Sequence, residues 1–172
     1  MKKLTLSKVS FSIDDLQLCL VLDDKGRVWH LNFKPELAPH FLRKLGKRWP
    51  SFTISNVLPK KDLLHFKRQI EVYLRGQSQN LDLPFFLIAT EFEKKVLYIL
   101  RQIPYGEVRT YGWLAQKIGH PKAFRAVGRA LATNPLPLIF PCHRIVAKHG
   151  LGGFSGGLAL KRRLLKIEGL SL

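Results

Sequence analysis

The apolar residues of this chain change period partway along, and that change confines it to a mixed architecture. Leu16, Leu18, Leu20 and Leu22 alternate on one face, Asp23-Asp24-Lys25-Gly26 turns, and Trp29, Leu31 and Phe33 resume the alternation. This predicts a β-hairpin with a glycine in its loop, joined by an earlier strand over Leu4 to Ile13. Leu37 to Trp49 places Phe41, Leu42 and Leu45 at helical spacing, and Phe52 to Leu58 reads as a strand. From Asp62, the stripe Leu63, Phe66, Ile70, Tyr73 and Leu74 predicts a second helix that Gly76 ends, and Leu81 to Ala89 is a connector. Beyond it the period is helical. Thr90-Glu91-Phe92-Glu93 is a capping box opening a helix whose face is Phe92, Val96, Ile99, Leu100 and Ile103. Thr110 caps a short helix through Ile118, Gly119-His120-Pro121 turns, and another helix runs through Thr133. In the last helix, Leu158 to Ile167, Leu160, Leu164, Leu165 and Ile167 are expected inward and Lys161, Arg162, Arg163 and Lys166 outward. The chain thus reads as an N-terminal α/β module, residues 1–85, and a mainly α C-terminal domain, residues 86–172, with a winged-helix-like helix-turn-helix.

Charge narrows the partners. A formal net charge of +17 on 172 residues produces a positive field whose usual counterpart is a polyanion; a solvated thermophile surface is the competing reading. The basic residues are dispersed, no stretch reaches membrane-span length, and no apolar run follows Met1-Lys2-Lys3-Leu4 as in a signal peptide. Only Cys19 and Cys142 occur, far apart, which points to a reducing interior: the cytoplasm, or the nucleus of a eukaryote. In the second helix of the helix-turn-helix, Phe124, Val127, Gly128 and Leu131 form the expected buried face. Arg125, Ala126, Arg129, Ala130 and Thr133 are left for solvent. Arginines neutralise phosphates and alanines allow close backbone approach, whereas long amide side chains that read base edges are missing. Such a face suits DNA shape rather than sequence.

The chemistry centres on Pro141-Cys142-His143-Arg144-Ile145-Val146. An imidazole beside a cysteine can help form the thiolate nucleophile, although a free cysteine is also often an inert buried residue. Asn134-Pro135, Pro137 and the glycine-rich stretch from Gly150 to Gly157 flank it, punctuation expected to present residues rather than bury them. Glu168 is an isolated acid just past the basic helix, where it reads as a helix-end or surface carboxylate.

These residues resemble the active-site signature of the O6-alkylguanine-DNA alkyltransferases. The resemblance extends from Phe92 to Gly169 through Ile103-Pro104-Tyr105-Gly106-Glu107-Val108, Thr110-Tyr111, Pro121 to Gly128, Asn134-Pro135, Ser155-Gly156-Gly157 and Lys166-Ile167-Glu168-Gly169. It implies a ribonuclease H-like N-terminal domain and irreversible, single-turnover transfer of an alkyl group from guanine O6, with O4-alkylthymine a second candidate. Cys142 is the implied acceptor, with His143 acting through a water, Glu168 orienting it, Asn134 bracing the turn and Tyr111 donating to the flipped purine. Ile145, Phe154, Ser155 and Gly156 are the implied substrate contacts; the Cys142 and Ile145 carbonyls would accept from the exocyclic amine. Arg125, Ala126, Arg129, Ala130 and Thr110 would contact DNA, with Arg125 replacing the extruded base in the minor groove. The implied partner is double-stranded DNA carrying O6-alkylguanine, bound by a monomer without a cofactor. Phe154 stands where some members have tyrosine. Some members also hold zinc, but Cys19, His30, His40 and His65 lack compact ligand spacing, so no structural metal is expected. The alternative is a non-catalytic DNA-binding protein, a lesion sensor or transcription regulator. A cysteine hydrolase is weaker, because nothing suggests a water-activated second step. Pairing with His143 is expected to lower the Cys142 thiol pKa.

Overall fold

The computed structural model describes residues 3–57 and 60–172. Strands β1 (Leu4–Ile13), β2 (Leu16–Leu22), β3 (Val28–Asn32) and β4 (Phe52–Ser55) form one sheet in the order β3-β2-β1-β4. Within this sheet β1 and β4 pair in parallel, and the β1–β2 and β2–β3 pairs are antiparallel. Helix α1 (Pro39–Arg48) lies between β3 and β4 in the chain, and α2 (Lys60–Leu74) follows β4. The strand expected over Phe52 to Leu58 is shorter, and Leu58 lies outside the described residues.

Both faces of β2 are covered, so its second set of side chains, Cys19 and Val21, is as buried as its leucines. Leu18, Leu20 and Leu22 pack towards α2 and the C-terminal helices, whereas Val21 packs with Phe41 and Leu45 of α1. The expected common face of Trp29 and Leu31 is broken. Val21 pairs with His30 and Leu22 with Val28, so Trp29 is an extra residue in β3 and its ring joins the α1 side. Such a bulge resets the alternation. Trp29 Nε1 donates to Asp23 Oδ2 at 2.9 Å, which fastens the bulge to the hairpin turn.

Helix α3 (Glu91–Leu100) begins with the predicted capping box: Glu93 N donates to Thr90 Oγ1 at 3.2 Å and Thr90 N to Glu93 Oε2 at 2.8 Å. Thr110 caps α4 (Tyr111–Lys117) by accepting from Trp113 N at 3.1 Å, and α5 (Phe124–Ala132) follows a turn. A two-residue strand β5 (Arg109–Thr110) pairs in parallel with β6 (Ile145–Val146), and α6 (Leu158–Ile167) closes the fold. The larger apolar core draws residues from both halves, from Leu20 and Ile70 to Val96, Val127 and Leu164. The expected connector also pairs: Val28 N donates to Pro84 O at 2.8 Å and Phe86 N to Val28 O at 2.9 Å, beside the β3 edge.

Two helices turn differently from the sequence expectation. In α5, Ala130 is 3% exposed and Phe124 is 51% exposed. The helix packs on α3 and α4 and buries Val127, Ala130 and Leu131, which takes Ala130 out of reach of a ligand and corrects its place on the exposed face. In α6, Lys161 is fully buried rather than outward. It occupies the stripe of Leu164, Leu165 and Glu168, three, four and seven residues on, so position overrides polarity where partners exist.

No helix among the described residues is long and apolar enough to cross a membrane, and no group of three or more His, Cys, Asp or Glu there could hold a metal ion.

Candidate active site

The segment from Asn134 to Ile145 is buried throughout, contrary to the presentation expected from its prolines. A buried irregular backbone needs partners for its polar groups, and side chains supply them here. Asn134 Nδ2 donates to Phe140 O at 2.8 Å and to Cys142 Sγ at 3.2 Å, while its Oδ1 accepts from Leu136 N at 3.0 Å. One amide thus closes the turn and holds the sulfur. From the other side, Leu31 N and His30 Nδ1 meet Pro135 O at 2.9 and 3.0 Å, so β3 anchors the turn to the N-terminal sheet. Burial pushes the His30 pKa down to about 4, which leaves its imidazole neutral, and Nδ1 therefore donates to that carbonyl.

Cys142 opens a short 3-10 turn, Cys142–Arg144, and its side chain forms part of the lining of a cleft of about 260 Å³. Tyr111, Gly128, Leu131, Phe154 and Ser155 line it too, with Ala132 and Gly153. Tyr111 Oη donates to Gly153 O at 3.3 Å. Gly152 has φ +68, and a Cβ there would come within 2.9 Å of the Tyr111 ring, so this loop approaches the tyrosine only as glycine. Gly156 lies against Phe154 and Leu160, with Ser155 exposed between.

Behind the sulfur, His143 Nε2 lies 2.6 Å from Glu168 Oε1, and both side chains are 1% exposed. Glu168 is therefore buried and paired with His143, not the surface carboxylate of the bland reading. Burial opposes its ionisation, but hydrogen bonds from His143 and Arg144 outweigh that and hold its pKa at about 2. An ionised carboxylate only accepts, so Nε2 carries the proton. Burial pushes the imidazole's own pKa down despite Glu168, which leaves it neutral. Its Nδ1 is buried without a hydrogen-bond partner among the described residues, a free lone pair available to a proton.

The thiol itself departs from expectation. Burial pushes the Cys142 pKa up, and the Asn134 hydrogen bond and the charge of Lys161 only partly offset it. His143 is committed to Glu168 and forms no ion pair with sulfur, which is why the anticipated lowering is not realised.

Three residues without an assigned role from sequence complete the site. Lys161 Nζ donates to Ile145 O at 2.6 Å, Leu151 O at 2.5 Å and Gly153 O at 3.1 Å, tying the glycine-rich loop to the strand after the cysteine. Arg144 Nε donates to both Glu168 oxygens at 3.1 and 3.0 Å, and Nη1 to Ile103 O at 2.6 Å. Tyr73 Oη donates to Glu168 Oε1 at 2.9 Å. The signals were present: a lysine in register with an apolar stripe, and a tyrosine on a buried one, whose hydroxyl must find a partner. The carbonyls of Cys142 and Ile145 already accept from Ile145 N and Lys161, so each has one lone pair left for another donor.

Arg125 and Arg129 are exposed on α5, Ala126 is half-buried beside them, and Thr110 is half-buried at the α4 cap. The structure thus places Cys142, Tyr111, Phe154 and Ser155 on one cleft, Asn134 against the sulfur and the His143–Glu168 pair buried at the same turn, and leaves the arginines on the flanking helix surface.

Comparisons with known proteins show what the whole chain is similar to. The family described as 6-O-methylguanine DNA methyltransferase, DNA binding domain, matches residues 91–170. The methylated-DNA–protein-cysteine methyltransferase of Methanosarcina acetivorans is 48% identical over 103 residues, 59% of this chain and 66% of that protein, just under two thirds of its length. The Haemophilus influenzae protein of the same name is 39% identical over 154 residues, 87% of this chain and 79% of its own. The crystal structure of Mycobacterium tuberculosis OGT in complex with DNA superposes with a TM-score of 0.75 at 30% identity, covering 94% of this chain and 92% of that one.

Proposed function

For a chain that belongs to the 6-O-methylguanine DNA methyltransferase family, we propose direct reversal of O6-alkylguanine damage in DNA, with the alkyl group transferred irreversibly to Cys142. The observation that carries this reading is the sulfur in a base-sized cleft, backed by a neutral imidazole whose free Nδ1 is opposed by an ionised Glu168. In the reaction the thiol proton passes through a water to His143 Nδ1. The S–C bond then forms as the C–O6 bond breaks, and the electron pair stays on the purine. Tyr111 meets the developing charge as a donor, and the proton lost by sulfur is the one that neutral guanine requires. Glu168 stabilises the imidazolium transiently formed. A thioether has no ready leaving route, so each molecule acts once.

Residues 86–172 serve in this reading as the DNA-binding and acceptor domain, and residues 1–85 as the module that holds the active-site turn. The pair α4–α5 acts as a helix-turn-helix whose second helix lies in the minor groove. Arg125 fills the gap left by the flipped nucleotide, Arg129 contacts phosphate, and the protein binds as a monomer. Ala130 is excluded from this interface by its burial. A sensor without chemistry has no need for a buried imidazole–carboxylate pair beneath a thiol, which disfavours the non-catalytic alternative. The test is intact mass after incubation with an O6-methylguanine duplex. One methyl on Cys142 is expected; an unmodified mass with DNA bound would remove the proposal.

A further inference from the structure

We infer that Tyr73 is a positioning residue for this transfer, through which the N-terminal module orients Glu168 and keeps His143 ready to accept a proton. The inference rests on the proposed reaction and adds a member to its relay. Tyr73 lies in α2, 95 residues from Glu168 in the chain, and donates to Glu168 Oε1 at 2.9 Å. That same oxygen faces His143 Nε2 at 2.6 Å and Arg144 Nη2 at 3.1 Å, while Oε2 accepts from Arg144 Nε and Gly106 N, each at 3.0 Å. The carboxylate is therefore held on all sides, and one of its holders belongs to the other half of the chain. Gly106 has φ +77, a conformation that side chains rarely adopt, and a Cβ there would crowd the Glu168 backbone carbonyl at 3.1 Å, so glycine is favoured where this backbone meets Glu168.

A phenylalanine would fill the same apolar space. Tyr73 is 2% exposed and its ring meets Tyr105 edge-on at 6.2 Å. The hydroxyl is what distinguishes it, and burial together with the Glu168 charge keeps that hydroxyl protonated as a donor. A donor on Oε1 draws negative charge from the atom facing the imidazole and so weakens the pull on the imidazolium. The charged and titratable groups facing this pair are Arg144 from the same turn, Tyr73 from α2, Tyr105 from the segment after α3, Lys161 from α6 and Cys142. Among them Tyr73 is the neutral donor to the oxygen that His143 uses.

The experiment compares wild type, Tyr73→Phe and Tyr105→Phe in single-turnover transfer from an O6-methylguanine duplex across pH, with the His143 ring titration followed by NMR. Tyr105 is the control, because its hydroxyl donates to the Ile167 carbonyl at 2.8 Å rather than to the carboxylate. In Tyr73→Phe both the acid limb of the rate profile and the His143 titration move to higher pH, and transfer on the acid side of that limb slows roughly three- to tenfold, the loss of one charge-assisted hydrogen bond. Incorporation of 3-fluorotyrosine at position 73, which keeps the hydroxyl and strengthens it as a donor, moves both the other way. Unmoved or oppositely moved limbs, or an equal shift in Tyr105→Phe, would overturn the inference. A wild-type protein that takes no methyl group would instead overturn the proposed reaction.

Discussion

Glu168→Gln tests how much of the fold depends on the buried cluster of His143, Arg144 and Glu168. Depression of the carboxyl from its ordinary 4.5 to about 2 corresponds to about 3 kcal/mol of native stability. Removing one partner of a buried pair costs a similar ~3–5 kcal/mol, because the other charge is stranded. Here that charge is Arg144, 7% exposed, whose remaining acceptors are Ile103 O and Tyr73 Oη. A glutamine amide keeps one acceptor but directs N–H groups at Arg144 or at Gly106 N, which are themselves donors. For a chain of this size the variant should melt about 6–12 °C below wild type at pH 7. The sign with pH follows from the lowered folded-state pKa. The stabilisation is complete above 4.5 and is lost as pH falls through about 2. Urea unfolding of both proteins from pH 7 to pH 3 should therefore show the gap shrinking, to less than half at pH 3. Equal stabilities at pH 7, or a gap that does not respond to pH, would refute the assignment of Glu168 as an ionised, buried partner.

Other predictions follow from the same site. Cys142→Ser should abolish methyl uptake yet bind duplex DNA with near wild-type affinity and the same steep salt dependence, since affinity comes from distributed phosphate contacts; Cys19→Ser should transfer normally, and an adduct mapped to Cys19 would contradict the site. The resting Cys142 thiol should react with iodoacetamide at pH 7 more slowly than a free cysteine, because burial raises its pKa; a faster reaction would show a preformed thiolate. Arg125→Ala should slow repair of duplex DNA strongly while sparing reaction with free O6-benzylguanine, because only the duplex requires extrusion costing a few kcal/mol; equal slowing of both would make Arg125 a support of the cleft.

The helices and strands themselves were legible from local pattern. The capping box at Thr90, the cap at Thr110, the hairpin turn and the last helix depend on contacts within a few residues, and those are what a sequence displays. The adjacency of Cys142 and His143 likewise singled out that turn, and the resemblance carried by the ordered motifs around them implied the pairing of His143 with Glu168 that the structure contains. What the pattern could not set was the partner of each polar group. Lys161 and Arg162 are neighbours of equal charge, yet Lys161 is buried because three carbonyls converge on it from the loop and strand across the fold, and Arg162 stays exposed. Ala130 is buried where α5 packs on its neighbouring helices, a packing choice that small residues leave open on either face. Trp29 changes face because a bulge inserts one residue, which no alternation rule anticipates. Tyr73 meets Glu168 across 95 residues. The thiol's raised pKa arises because burial, a property of the assembled core, outweighs the charges nearby. Sequence determines the local hydrogen bonds and the periodicity of burial; the tertiary structure decides which charges are paired, because pairing in a low-dielectric interior depends on distances that only folding creates.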